Sequence, residues 1–86
     1  MKRKKLTETA VLVKFCRESR DLTQMEMASK LGYKTAQFIS NVERGICALP
    51  VNSFKAVSKV LDVHLLSLFN AHIKDYADEV RKKLKI

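Results

Sequence analysis

Turn-forming residues are the first scarcity in this chain, which holds two glycines and one proline in 86 residues. A β-sandwich or barrel needs turn residues every ten or so positions, so helices are the expected secondary structure. Cysteine is nearly as rare. Cys16 and Cys47 stand apart with no Cys-x-x-Cys pair, and neither His64 nor His72 lies at metal-ligand spacing from them. A zinc site is therefore not expected, and no metal or cofactor is. Cys16 falls on an apolar helix face and reads as a small buried hydrophobe in a reducing compartment, a disulfide being the less favoured reading. Long apolar runs are missing too: Ala10 to Val13 is among the longest, and Lys14 interrupts it. Neither a membrane span nor a secretory signal is expected, and the expected location is cytoplasmic. Nor is there a Ser/His/Asp, Cys/His, paired-carboxylate or glycine-rich phosphate arrangement, so an enzyme is not expected.

Acidic residues are in deficit, and that deficit points to a partner. The net charge is +8, with 17 basic against 9 acidic side chains. Residues 1–61 hold 12 basic and 5 acidic groups, whereas residues 62–86 hold 5 and 4. A basic N-terminal two-thirds suits a polyanion, nucleic acid ahead of an anionic membrane surface. Apolar content of 47% is enough for one modest core, so the chain is expected to be a single helical domain.

Read in order, residues 1–5 form a basic arm, Lys2-Arg3-Lys4-Lys5, suited to phosphate or minor-groove contact or else simply solvated. A first helix is expected from Thr7, as N-cap, to Ser19. Its apolar residues Val11, Leu12, Val13, Phe15 and Cys16 cover a wider arc than one core contact requires, leaving surface for another element or subunit. The second helix, about 23–31, has a complete start signal. Thr23 and Glu26 form a capping box, and Leu22 and Met27 a hydrophobic staple. Gly32 ends it, Tyr33-Lys34 turn the chain, and Thr35 is expected to cap a third helix over about 36–44 that stops at Gly45. Pro50 is expected to open a fourth helix with Phe54, Val57, Val60 and Leu61 buried. A long last helix follows from about His64. Leu65, Phe69, Ile73, Tyr76, Val80 and Leu84 recur along one face of it.

The third helix carries a different stripe. Gln37, Ser40, Asn41 and Arg44 lie at i, i+3, i+4 and i+7, on a single helical face. A core has no use for such a face. The plain alternative is solvated surface, but the basic charge and the helix–turn–helix arrangement favour a DNA major groove.

Taken together, Leu22-Thr23-Gln24, Ala28, Leu31-Gly32, Ile39, Val42-Glu43-Arg44-Gly45, Pro50 and Leu68-Phe69 resemble the Xre/Cro/lambda-repressor-like helix-turn-helix family. The resemblance covers about Thr7 to Phe69. It implies an all-α fold, a compact five-helix DNA-binding domain at residues 6–71, here followed by a C-terminal helical extension at residues 72–86. It also implies that the third helix is the recognition helix. Gln37 and Asn41 each offer a donor and an acceptor for adenine, and Ser40 suits either base type, so these three are the expected base contacts. Thr23 and Gln24 at a helix N-terminus, Lys34 before the recognition helix and Arg44 at its end are the expected phosphate contacts. Arg17 and Glu43 match the family's structural ion pair. One departure stands out: Gly32 to Ile39 spans seven residues where the common form has six, so the turn is expected to be one residue longer.

The function implied is a sequence-specific transcriptional regulator of double-stranded DNA, a repressor acting as a homodimer on a palindromic operator. The alternative is an antitoxin-type module that binds a protein partner through its C-terminal helix and autoregulates through the same domain. A membrane-surface role is disfavoured by Asp75, Asp78 and Glu79 beside the Arg81-Lys82-Lys83 cluster.

Overall fold

A computed structural model describes residues 6–86, and the basic arm expected at Lys2 to Lys5 lies outside the described residues. Five α-helices are present among the described residues: α1 (Glu8–Ser19), α2 (Gln24–Lys30), α3 (Gln37–Glu43), α4 (Phe54–Leu61) and α5 (Leu65–Leu84). A 3-10 turn, Val51–Ser53, leads into α4. Among the described residues the fold is all-α, and the second half of its last helix is largely exposed.

Local chemistry sets most of the helix ends. Thr7 caps α1, its hydroxyl accepting from the Ala10 N–H at 3.0 Å. At α2 the capping box closes in both directions: the Glu26 N–H donates to Thr23 Oγ1 at 3.0 Å, and the Thr23 N–H donates to Glu26 Oε1 at 2.9 Å. The ends of α1, α2 and α3 share one device, a residue of positive φ that lets the chain fold back on the last turn. At α2 the Tyr33 N–H reaches the Ala28 carbonyl, and at α3 the Ile46 N–H reaches the Asn41 carbonyl, both at 2.9 Å. Glycine serves at both, with φ +87° at Gly32 and +74° at Gly45, a region that costs other residues about 1–2 kcal/mol. Asp21 takes the same conformation after α1.

Two boundaries differ from expectation, both because the chain takes up extra residues before a helix settles. Thr35 does not cap α3. Ala36 occupies the N-cap position with no side-chain bond, and Thr35 Oγ1 instead accepts a long 3.4 Å bond from the Gln37 N–H. The seven-residue step spends Lys34 to Ala36 in bends, and the Tyr33 ring packs 4.8 Å from that of Phe38. Likewise Pro50 opens the 3-10 turn rather than α4 itself, which begins at Phe54.

The core is built where the four shorter helices and the first half of α5 meet. Val13 of α1, Met27 and Ala28 of α2, Ile39 and Val42 of α3, Phe54, Val57 and Leu61 of α4 and Leu68 of α5 are all buried. Leu49, from the loop between α3 and the 3-10 turn, is buried with them. At about 1.5–3 kcal/mol for each large side chain, this cluster is the principal source of stability.

In α5 the apolar stripe is not the buried face. Leu68 and Ala71 are buried on α5, whereas Leu65, Phe69, Ile73, Tyr76 and Leu84 are all exposed. The inner face is completed by a polar contact: Asp75 accepts from the backbone N–H groups of Glu8 at 2.7 Å and Thr9 at 3.0 Å. These are two of the orphan donors at the start of α1, so a carboxylate 66 and 67 residues away serves as a second cap. The spare apolar surface of α1 is also uncovered, with Val11 and Phe15 exposed. The helix continues without a break through residues 71 and 72, where the sequence pattern divides core from extension.

Candidate nucleic-acid interface

One short helix, α3, divides its residues between two tasks. Ile39, Val42 and Glu43 point into the protein and are buried. Gln37 and Arg44 on the opposite side are exposed, and Ser40 and Asn41 are partly so. This division follows from the sequence, because i, i+3, i+4 neighbours share a face and the apolar set is rotated away from the polar set.

Glu43 anchors the inner face. Arg17 of α1 donates from Nε to Glu43 Oε2 at 2.6 Å and from Nη2 to Glu43 Oε1 at 3.0 Å, a bidentate pair. The same guanidinium donates from Nη1 to the Leu22 carbonyl at 2.6 Å, fastening the link that enters α2. The side chains are 10% and 3% exposed, so an unpaired charge here would have no water to fall back on. Hydrogen bonding to Glu43 raises the Arg17 pKa above its already high ordinary value, against the opposing effect of burial.

Gln24 joins this cluster. Its amide donates from Nε2 to Glu43 Oε1 at 3.1 Å, which turns the side chain toward the ion pair rather than toward the outer face. Thr23 is likewise committed locally, since its N–H and its hydroxyl acceptor are both used in the capping box. Lys34 is exposed ahead of α3.

The outer face is itself connected. Gln37 donates from Nε2 to Asn41 Oδ1 at 2.9 Å, and Arg44 donates from Nη2 to the same oxygen at 2.9 Å. Three of the residues expected at DNA thus form a ladder along one helix face, standing out from the protein. Ser40 lies beside it without joining it. No sequence signal marks the ladder beyond the i, i+4, i+7 spacing, and none marks the Gln24–Glu43 contact or the Asp75 cap, whose partners are distant in the chain.

Among the described residues no group of His, Cys, Asp and Glu side chains is placed to hold a metal ion. Cys16 and Cys47 are free and half-buried, and burial pushes the Cys16 thiol pKa up, as for a packing residue. No described helix is long and apolar enough to cross a membrane.

A helix pair joined by a glycine turn, with a buried inner face and a polar outer one, defines a DNA-binding helix-turn-helix regulator. The helix-turn-helix family model matches residues 13–68, from the middle of α1 into α5, and the chain belongs to that family in its Xre/lambda-repressor-like form. The family is regulatory and generally non-enzymatic. No curated protein matches the chain.

Proposed function

We propose that this protein is a sequence-specific transcriptional repressor that lays α3 in the major groove and occludes a promoter. The observation that carries this reading is the outer face of α3, where Gln37, Asn41 and Arg44 form an exposed hydrogen-bonding ladder over a buried apolar underside. Gln37, Ser40 and Asn41 meet base edges in this reading. Arg44, Lys34 and the N-terminus of α2 at Thr23 and Gln24 meet the phosphates. Since the Gln24 amide is held by Glu43, its contribution comes from the backbone N–H.

The protein acts as a homodimer on a palindromic operator, and it works in the cytoplasm. Support for the dimer comes from α5, whose Phe69, Ile73, Tyr76 and Leu84 present an apolar face to solvent. Along the same helix Asp78 and Glu79 precede Arg81, Lys82 and Lys83. Antiparallel pairing of two copies would set each acidic stretch against the other's basic one. The same exposed face favours a second reading, in which α5 holds a toxin and the domain autoregulates. A neighbouring small open reading frame whose product co-purifies with this chain would distinguish the two.

The test is a binding titration on a site selected from random DNA. Asn41→Ala is expected to weaken specific binding by about 1–3 kcal/mol while leaving the melting temperature unchanged. Affinity is expected to fall steeply between 50 and 200 mM salt, by roughly a thousandfold or more for six or more phosphate contacts. Salt-independent affinity would remove the electrostatic basis of the proposal. Sedimentation at micromolar concentration tests the dimer, and a 9.8 kDa monomer with and without DNA would defeat it.

A further inference from the structure

The ladder on α3 constrains more than its own geometry, because it dictates which way each amide points. A guanidinium can only donate, so the atom of Asn41 that meets Arg44 Nη2 at 2.9 Å must be its carbonyl oxygen. That oxygen also lies 2.9 Å from the Gln37 amide, which must then present its N–H to it. Both lone pairs of Asn41 Oδ1 are therefore engaged within the helix. What Asn41 has left for a partner is its NH2 group, two donors and no acceptor. Gln37 keeps its whole carbonyl oxygen and one N–H. Arg44 keeps four of its five donors.

We infer that the recognition helix reads two different bases: a guanine through Asn41 together with Arg44, and an adenine through Gln37. This rests on the DNA-binding reading above and deepens it. Adenine in the major groove offers an acceptor at N7 and a donor at N6, so gripping it takes one donor and one acceptor from a single amide. Gln37 retains both. Asn41 does not, since its acceptor is spent. Guanine offers two acceptors, N7 and O6, which match the donor-only edge formed by the Asn41 NH2 and the free Arg44 N–H groups. Arg44 is then a specificity-determining residue, its role moving from the phosphate contact proposed above to the base: it sets the orientation of Asn41 from beside it and adds donors to the same guanine. Holding the three side chains in one arrangement before DNA arrives also spares part of the ordering cost of binding.

The experiment is selection from a random DNA pool with the full chain and with the Asn41→Ala and Arg44→Ala variants. The column of the selected motif that loses its preference in Asn41→Ala is the one Asn41 faces, and guanine is expected there in the wild-type motif. Replacing that guanine with 7-deazaguanine, which lacks the N7 acceptor, is expected to lower affinity about tenfold. Inosine, which keeps N7 and O6, is expected to leave affinity unchanged. In Arg44→Ala the Asn41 amide is free to turn over, and the column is expected to shift from guanine toward adenine. A wild-type adenine at that column would overturn the inference while leaving sequence-specific binding intact. So would an Arg44→Ala variant whose affinity falls equally for all sequences with the motif unchanged, which is the behaviour of a phosphate contact. A pool that yields no enriched sequence would overturn the DNA-reading proposal itself, and this inference with it.

Discussion

The α2–turn–α3 unit and α5 are both amphipathic in sequence, and they use that property in opposite ways. In the first, the apolar positions Met27, Ala28, Ile39 and Val42 are all buried, and the polar positions other than Glu43 and its partner Gln24 face out. In α5 the regular apolar stripe faces solvent, while a sparser set, Leu68, Ala71 and the carboxylate of Asp75, docks the helix. The difference lies in what restricts each element. Two folded-back helix ends, a capping box and the Arg17–Glu43 pair leave α2 and α3 only one rotation about their axes. By contrast α5 lacks a side-chain N-cap bond and is tied down along its first half, so its rotation is decided by the partner surface on α1 and α4. Periodicity shows that a helix has a face, but it does not say what covers that face.

If this contrast is right, the costliest single change lies under α3. Glu43→Ala strands the Arg17 guanidinium and the Gln24 amide and is expected to lower stability by about 3–5 kcal/mol, read as a drop in melting temperature. Replacing both partners together, as Arg17→Met with Glu43→Leu, is expected to recover most of that loss. Equal melting losses for the single and double variants would mean that packing, not charge, holds the unit.

A smaller effect is expected where α5 docks. Asp75→Ala removes the second cap of α1 and is expected to cost about 0.5–2 kcal/mol, the usual range for a cap, with amide exchange rising first at the start of α1. A loss matching that of Glu43→Ala would erase the distinction between the two regions.

The α2 capping box supplies a pH signature. The Thr23 N–H, and after it the Thr23 hydroxyl, hold the Glu26 carboxyl below its ordinary value of 4.5. With the folded value depressed, the contribution is fully present above the unfolded value and is lost as pH falls through the folded one. Glu26→Gln is therefore expected to flatten the acid limb of a stability-against-pH curve below about pH 4.5 and to leave its alkaline limb unmoved. An unchanged acid limb would count against the carboxylate form of the box. The least effect is expected from Ile73→Asp on the exposed stripe. In dilute protein its unfolding free energy should stay within about 0.5 kcal/mol of wild type, since the side chain is 47% exposed. A larger loss would show that the stripe is covered within one chain.

Much of the fold was legible because its signals are local. Thr23 with Glu26, Gly32 and Gly45, and the i, i+3 pairing of Ile39 with Val42 each act within a few residues, so neither tertiary packing nor a partner is needed to interpret them. The division of α3 into buried and polar faces was legible for the same reason. Legibility failed wherever the deciding partner is far along the chain or where the turn is unusual. Thr35 reads as a cap because threonine before a helix often is one, yet the extra turn residue moves the helix start past its reach. The sequence has no mark for Gln24 reaching Glu43, and a long-range contact decides that its side chain turns inward.

By itself, then, the sequence determined that this is an all-helical, basic, DNA-binding helix-turn-helix domain, because caps, glycine turns and short-range periodicity are properties of neighbouring residues. Only the tertiary structure decided which face of α5 is buried, that Asp75 caps α1, and that the Gln24 amide turns inward to Glu43. Those outcomes depend on donors and acceptors meeting across space, where the geometry of the folded chain determines which lone pair is used and which is left for DNA.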